Sequence, residues 1–118
     1  MKLITKEIQK KLTKQNFTRY DGYQIKERKK QKPYLKLFNP CGSATWLLSE
    51  YDPETRLFFG LCDLGFGCPE LGYVGLDEIL EVKLPFGLKI ERDKWWKPEF
   101  DLDKYYAMSK DVGRITYG

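Results

Sequence analysis

Ala44-Thr45-Trp46-Leu47-Leu48-Ser49-Glu50-Tyr51, then Asp52-Pro53-Glu54-Thr55, then Arg56-Leu57-Phe58-Phe59-Gly60-Leu61-Cys62-Asp63 decide the fold of this chain. The first run is rich in aromatic and apolar residues. A period of two puts Trp46, Leu48 and Glu50 on one face of a strand and Thr45, Leu47, Ser49 and Tyr51 on the other. Asp52 to Thr55 has type I turn chemistry, with Pro53 where φ is already set. The third run is apolar at most positions, as a central strand covered on both faces would be. A hairpin at the middle of a sheet is the expectation.

Working outward towards the N-terminus, Tyr34 to Phe38 reads as a strand closed by Asn39-Pro40. Residues 16–33 read as an irregular connection, with the turn signal Tyr20-Asp21-Gly22-Tyr23 and a charged stretch from Lys26 to Lys32. Its tyrosines among cations loosely resemble a stacking-plus-phosphate surface. Before it, Ile4, Ile8 and Leu12 recur every four residues on a helix starting at Thr5, and Lys6, Lys10 and Lys14 line another face. That apolar stripe is thin for lipid.

Towards the C-terminus, Leu64 to Pro69 turns the chain into a fourth strand, Glu70 to Val74. Gly75 can cap a short helix whose buried stripe is Leu76, Ile79 and Leu80. Pro85-Phe86-Gly87 breaks the chain before a fifth strand, Lys89 to Trp95. Leu102 to Val112 reads as a last helix, with Asp101 as its cap and Gly113 just past its end. The result is an α+β fold. A mostly antiparallel four- to five-stranded sheet carries an N-terminal helix, a short helix after strand four and a C-terminal helix, with the helices on one face. Residues 1–118 make one domain, divided into a basic helix and connection (1–32) and a sheet-containing core (33–118).

Composition narrows the function. At 42% hydrophobic and 15% aromatic residues the chain has ample core material. No apolar run approaches the roughly 18 residues that cross a bilayer, and Lys2, Lys6 and Glu7 interrupt any secretory pattern, so a cytoplasmic setting with no membrane partner is expected. There is no histidine, which removes Ser-His, Cys-His and His-metal mechanisms together. Three cysteines at irregular spacing (Cys41, Cys62 and Cys68) fit no zinc pattern and read as thiols that pack. Residues 1–36 carry twelve Lys+Arg against three Asp+Glu, whereas residues 37–118 are net acidic. Such a split points the basic end at an anionic partner, or simply keeps the protein in solution. Only Arg19 and Arg28 in that end can fork a phosphate.

Four features are candidate sites. Gly65-x-Gly67 would need glycine where Glu70 stands to match a dinucleotide fingerprint, so it reads as a tight hairpin connection. Asp63 and Glu70 flank that loop, and Glu50 lies on the adjoining strand. Three converging carboxylates can hold Mg²⁺ or divide acid and base roles, whereas separate ones cap turns or pair with cations. Arg92, in Glu91-Arg92-Asp93, can anchor an anion or pair internally with Glu50 or Glu70. Finally, adjacent tryptophans cannot both face inward from a strand, so one of Trp95 and Trp96 is expected at the surface, where it invites a partner.

Lys36-Leu37-Phe38-Asn39-Pro40, Thr45-Trp46, Glu50-Tyr51-Asp52, Phe59-Gly60-Leu61, Glu70-Leu71-Gly72-Tyr73 and Gly87-Leu88-Lys89-Ile90-Glu91-Arg92-Asp93 occur in that order. Over roughly residues 33 to 100, leaving out the lysine-rich leading segment, the chain resembles the domain-of-unknown-function 2958 family. Those are small bacterial proteins often encoded on plasmids and integrated elements, with no assigned activity. The resemblance therefore implies a bacterial setting and a link to mobile DNA, but no chemistry. The chain departs from it at Gly75, where relatives often have serine, and at Lys94-Trp95-Trp96, where they often have a histidine-containing or aromatic stretch. A histidine-based role in relatives would not carry over.

Three readings follow. The first is a non-catalytic binding or regulatory protein of a mobile element. It contacts protein or nucleic acid through Lys6, Lys10, Lys14, Arg92, Trp95 and Trp96, and needs no cofactor. The second is a Mg/Mn-dependent phosphoester hydrolase with Asp63, Glu70 and Glu50 as ligands. The third is a self-associating component, a homodimer whose tryptophans bury each other across a two-fold axis.

Overall fold

The computed structural model of the chain describes residues 3–15, 28 and 30–115. The connection expected over 16–33 therefore lies largely outside the described residues, including the tyrosine–cation surface and Arg19. Among them the element order is α1 (Lys6–Lys14), β1 (Leu35–Phe38), β2 (Thr45–Asp52), β3 (Leu57–Asp63), β4 (Glu70–Gly75), α2 (Leu76–Glu81), β5 (Glu91–Arg92) and α3 (Leu102–Val112). The five strands form one antiparallel sheet in the order β4-β3-β2-β1-β5. This is the expected α+β architecture.

The β2–β3 hairpin is the centre of the sheet, pairing Thr45 with Asp63 at one end and Asp52 with Leu57 at the other. Its loop closes as the turn chemistry requires. Asp52 accepts backbone N–H bonds from Glu54 through its side chain (3.0 Å) and from Arg56 through its carbonyl (2.8 Å). Within β2 the register slips between Leu48 and Glu50. This bulge corrects the simple alternation: Tyr51 joins Trp46 and Leu48 in one core cluster, while Glu50 turns to the other face beside Phe59. Gln15, just past α1, donates to the Ser49 carbonyl at the bulge (2.7 Å), so the irregularity also anchors the end of the helix.

The sheet is covered on both faces, not on one. Leu35, Leu37, Trp46, Leu48, Tyr51 and Phe58 pack under Leu12 of α1 and under Leu76 and Ile79 of α2. Leu47, Phe59 and Leu61 pack under Leu102 and Tyr105 of α3. The physical reason lies in β2 and β3 themselves. With consecutive apolar residues such as Leu47-Leu48 and Phe58-Phe59, each strand has apolar side chains on both faces, and one layer of helices leaves half of them wet. The helix ends match the sequence: Thr5 caps α1 by accepting from Ile8 N–H (3.1 Å), and Asp101 caps α3 by accepting from Lys104 N–H (2.9 Å). Gly113 then stops α3 in the left-handed conformation (φ 76°).

The fifth strand is shorter than expected. Glu91 and Arg92 pair with Phe38 and Leu37, and one further bond runs from Asp93 N–H to the Lys36 carbonyl (3.0 Å). Asp93 then accepts the N–H of Trp95 on its side chain (2.9 Å) and that of Trp96 on its carbonyl (3.3 Å), curling the chain out of the sheet.

Candidate functional site

Asp63, Glu70 and Glu50 are the carboxylates that the hydrolase reading needs as metal ligands. The register pairs Cys62 with Glu70, so Glu70 shares a face with Cys62 while Asp63, one residue on, points to the other. Asp63 is buried and accepts from Gly65 N–H (2.9 Å) and Ile115 N–H (3.0 Å). It ties the hairpin loop to the chain just beyond α3. Glu50, only 2% exposed, is bound in a forked pair by Arg28. The three are not brought together, and no group of three His, Cys, Asp or Glu able to hold a metal occurs among the described residues. The glycine loop is a hairpin connection, as read, with Gly65 at φ 89° and Gly67 at φ 84°.

The sequence shows Arg28 only as one of two arginines in the basic end able to fork a phosphate. In the structure its Nε and Nη2 lie 2.8 and 3.1 Å from the two Glu50 carboxylate oxygens, its Nη1 donates to Tyr73 (2.7 Å), and its guanidinium sits 3.7 Å from the Phe59 ring centre. Burial opposes its charge, but the bonds to Glu50 and Tyr73 prevail and hold its pKa above the usual arginine value. No short-range signal links positions 28 and 50. Only the β2 bulge turns Glu50 towards Arg28.

Arg92 opposes Leu37 on the sheet edge and is half-buried, with its Nε shielded from solvent and no hydrogen-bond partner among the described residues. The internal pairing expected with Glu50 is replaced by Arg28. Cys62 is pushed up by burial to about 11, which makes it a poor nucleophile. Cys41 and Cys68 are exposed. On α1, Lys6, Lys10 and Lys14 are all exposed along a shallow recess that also includes Pro53.

One tryptophan of the pair is at the surface, as expected, but the division comes from the Asp93 turn and not from strand alternation, because both lie beyond β5. Trp96 is anchored: its Nε1 donates to the Pro33 carbonyl (2.9 Å) and its ring packs against Tyr105 at 5.5 Å. Trp95 is 90% exposed. Among the described residues, two almost fully exposed aromatics escaped the sequence reading, Phe66 in the β3–β4 loop and Phe86 in the Pro85–Gly87 turn. Phe86 is flagged only by its place between proline and glycine. Its left-handed backbone (φ 62°) is unusual for a bulky residue.

Fold and site together define a three-layer α+β domain with a structural buried ion pair, no assembled carboxylate centre among the described residues, and aromatic rings held out into solvent. Residues 3–116 match the family model described as "Protein of unknown function (DUF2958)", and the chain belongs to that family. The match takes in α1, so the basic leading helix is part of the family domain and not an addition to it. No curated protein and no solved structure matches the chain.

Proposed function

We propose that this chain is a non-catalytic binding or regulatory protein, acting in the bacterial cytoplasm in connection with mobile elements and contacting a protein or nucleic-acid partner through its exposed aromatic and basic surfaces. The observation that carries the reading is Trp95. The residue is 90% exposed on a turn fixed on both sides: Asp93 accepts its N–H, and Trp96 is tied to Pro33 and Tyr105. A large ring held in water without packing of its own is what a contact hot spot looks like before its partner arrives. Arg92 beside it, and Lys6, Lys10 and Lys14 on α1, supply positive charge for an anionic surface. The setting on mobile DNA comes from the family resemblance alone. No helix among the described residues is long and apolar enough to cross a membrane.

Affinity capture from a bacterial host extract, with tagged wild type beside a Trp95→Ala variant of unchanged circular dichroism, tests the reading. A partner held by wild type and lost by the variant is the expected result. Identical captures by both would overturn Trp95 as the contact, and a wild type that sediments as a dimer through Trp95 would replace the reading with self-association.

A further inference from the structure

Among the described residues, three aromatic side chains stand almost entirely in solvent, namely Phe66, Phe86 and Trp95. Their surroundings differ. Phe66 sits in Leu64-Gly65-Phe66-Gly67-Cys68-Pro69, with no cation in the loop. Phe86 and Trp95 lie on the segment 83–97, whose centre is β5, an edge strand of the sheet. Each is bracketed by exposed lysines: Lys83 and Lys89 around Phe86, Lys94 and Lys97 around Trp95. That segment holds five cations against two carboxylates, Glu91 and Asp93, and Asp93 is already paired with Lys36 at 3.6 Å.

Rings interleaved with lysines are a poor protein interface, because the core of such an interface is depleted in lysine. They are a good surface for a strand of unpaired bases. Each ring offers a stacking face to a base, and each lysine a point charge to the phosphate beside it. A duplex keeps its bases stacked on one another and leaves the rings unused. We infer that the β5 edge binds single-stranded nucleic acid, with Phe86 and Trp95 as stacking platforms and Lys83, Lys89, Lys94 and Lys97 contacting phosphates. The inference rests on the reading of the chain as a binding protein and names the class of its partner. The rings are nine residues apart, so they are separated by at most about 32 Å of chain. One feature supports the inference independently of charge. Phe86 holds a left-handed backbone while the residue is 97% exposed, an unfavourable conformation with no side-chain packing to compensate it. Single-stranded DNA and RNA share the required chemistry and differ in the 2′-hydroxyl.

Fluorescence anisotropy of the full chain with labelled oligo-dT, oligo-U and a duplex, each about 20 units long, tests this. Both substituted rings are at the surface, so Trp95→Ala and Phe86→Ala leave the fold intact. The expected result is binding of one or both single strands, weaker binding of the duplex, and a steep fall in affinity between about 50 and 200 mM salt. Each ring substitution should weaken single-strand binding by roughly tenfold. Absence of single-strand binding at low salt, a preference for the duplex, or equal affinities for wild type and the double variant would overturn it. If single strands stay unbound while Trp95 captures a protein from extract, this inference falls and the binding reading stands. If neither occurs, both fall.

Discussion

Arg28 and Glu50 form an ion pair in which the arginine side chain is 14% exposed, the guanidinium covers Phe59 and a further bond reaches Tyr73. Removing one partner strands a buried charge. Arg28→Met is therefore expected to lower stability by about 3 kcal/mol in urea unfolding, and adding Glu50→Gln should regain part of the loss. A change within about 0.5 kcal/mol would show that the pair is not closed in solution. Cys62 gives a test in pH. Its thiol titrates near 11 in the folded chain, above the usual thiol value, because burial disfavours the thiolate. The raised value means that its contribution to stability is complete below the unfolded-state pKa of about 8.5 and fades as pH rises towards 11. At pH 8, alkylation followed by mass spectrometry should modify the exposed Cys41 and Cys68 while sparing Cys62, and Cys62 should be labelled only as the pH approaches 11. Rapid labelling of all three at pH 8 would contradict its burial.

Among the elements, the β2–β3 crossing is the most constrained. A Cβ on Gly60 would fall onto the carbonyl oxygen of Leu47 and 2.7 Å from the Cα of Leu48, and backbone cannot retreat as a flexible side chain can. Gly60→Ala should cost about 3 kcal/mol or prevent folding, read as soluble yield and thermal midpoint. Tolerance of the substitution would mean that the strands lie further apart than described. The same elements show what was legible. Both caps, Gly113 and the hairpin turn depend on neighbours within four residues, and they were read correctly from sequence. The bulge at Ser49 was not, because its cause lies elsewhere in the chain: Gln15 takes the Ser49 carbonyl, and the Arg28 pair takes the Glu50 side chain that the bulge turns over. The fifth strand was over-extended because Asp93 reads as alternation, yet its side chain forms a turn instead.

At the scale of the molecule, the element order alone suggests a single layer of helices, whereas the consecutive apolar residues of β2 and β3 require helices on both faces. The candidate site was legible only in part. The expectation that one of Trp95 and Trp96 is exposed held for a different reason from the one that led to it: both lie on the turn after β5, and which of them is buried depends on a bond from Trp96 to Pro33, sixty-three residues away in sequence. The separation of Asp63 from Glu70 needed the register of the β3–β4 pair, which a hairpin loop with two left-handed glycines does not disclose. The account stands on Trp95 being an exposed contact while the other two tryptophans are structural. ¹⁹F NMR of 5-fluorotryptophan-labelled protein, with Trp95 assigned by Trp95→Phe and spectra taken in buffer and in bacterial extract, tests this most directly. In buffer the Trp95 resonance alone should respond to exchange of H₂O for D₂O, and in extract it should shift or broaden while Trp46 and Trp96 stay in place. A Trp95 resonance as protected as that of Trp46, or one unchanged in extract, would contradict the account.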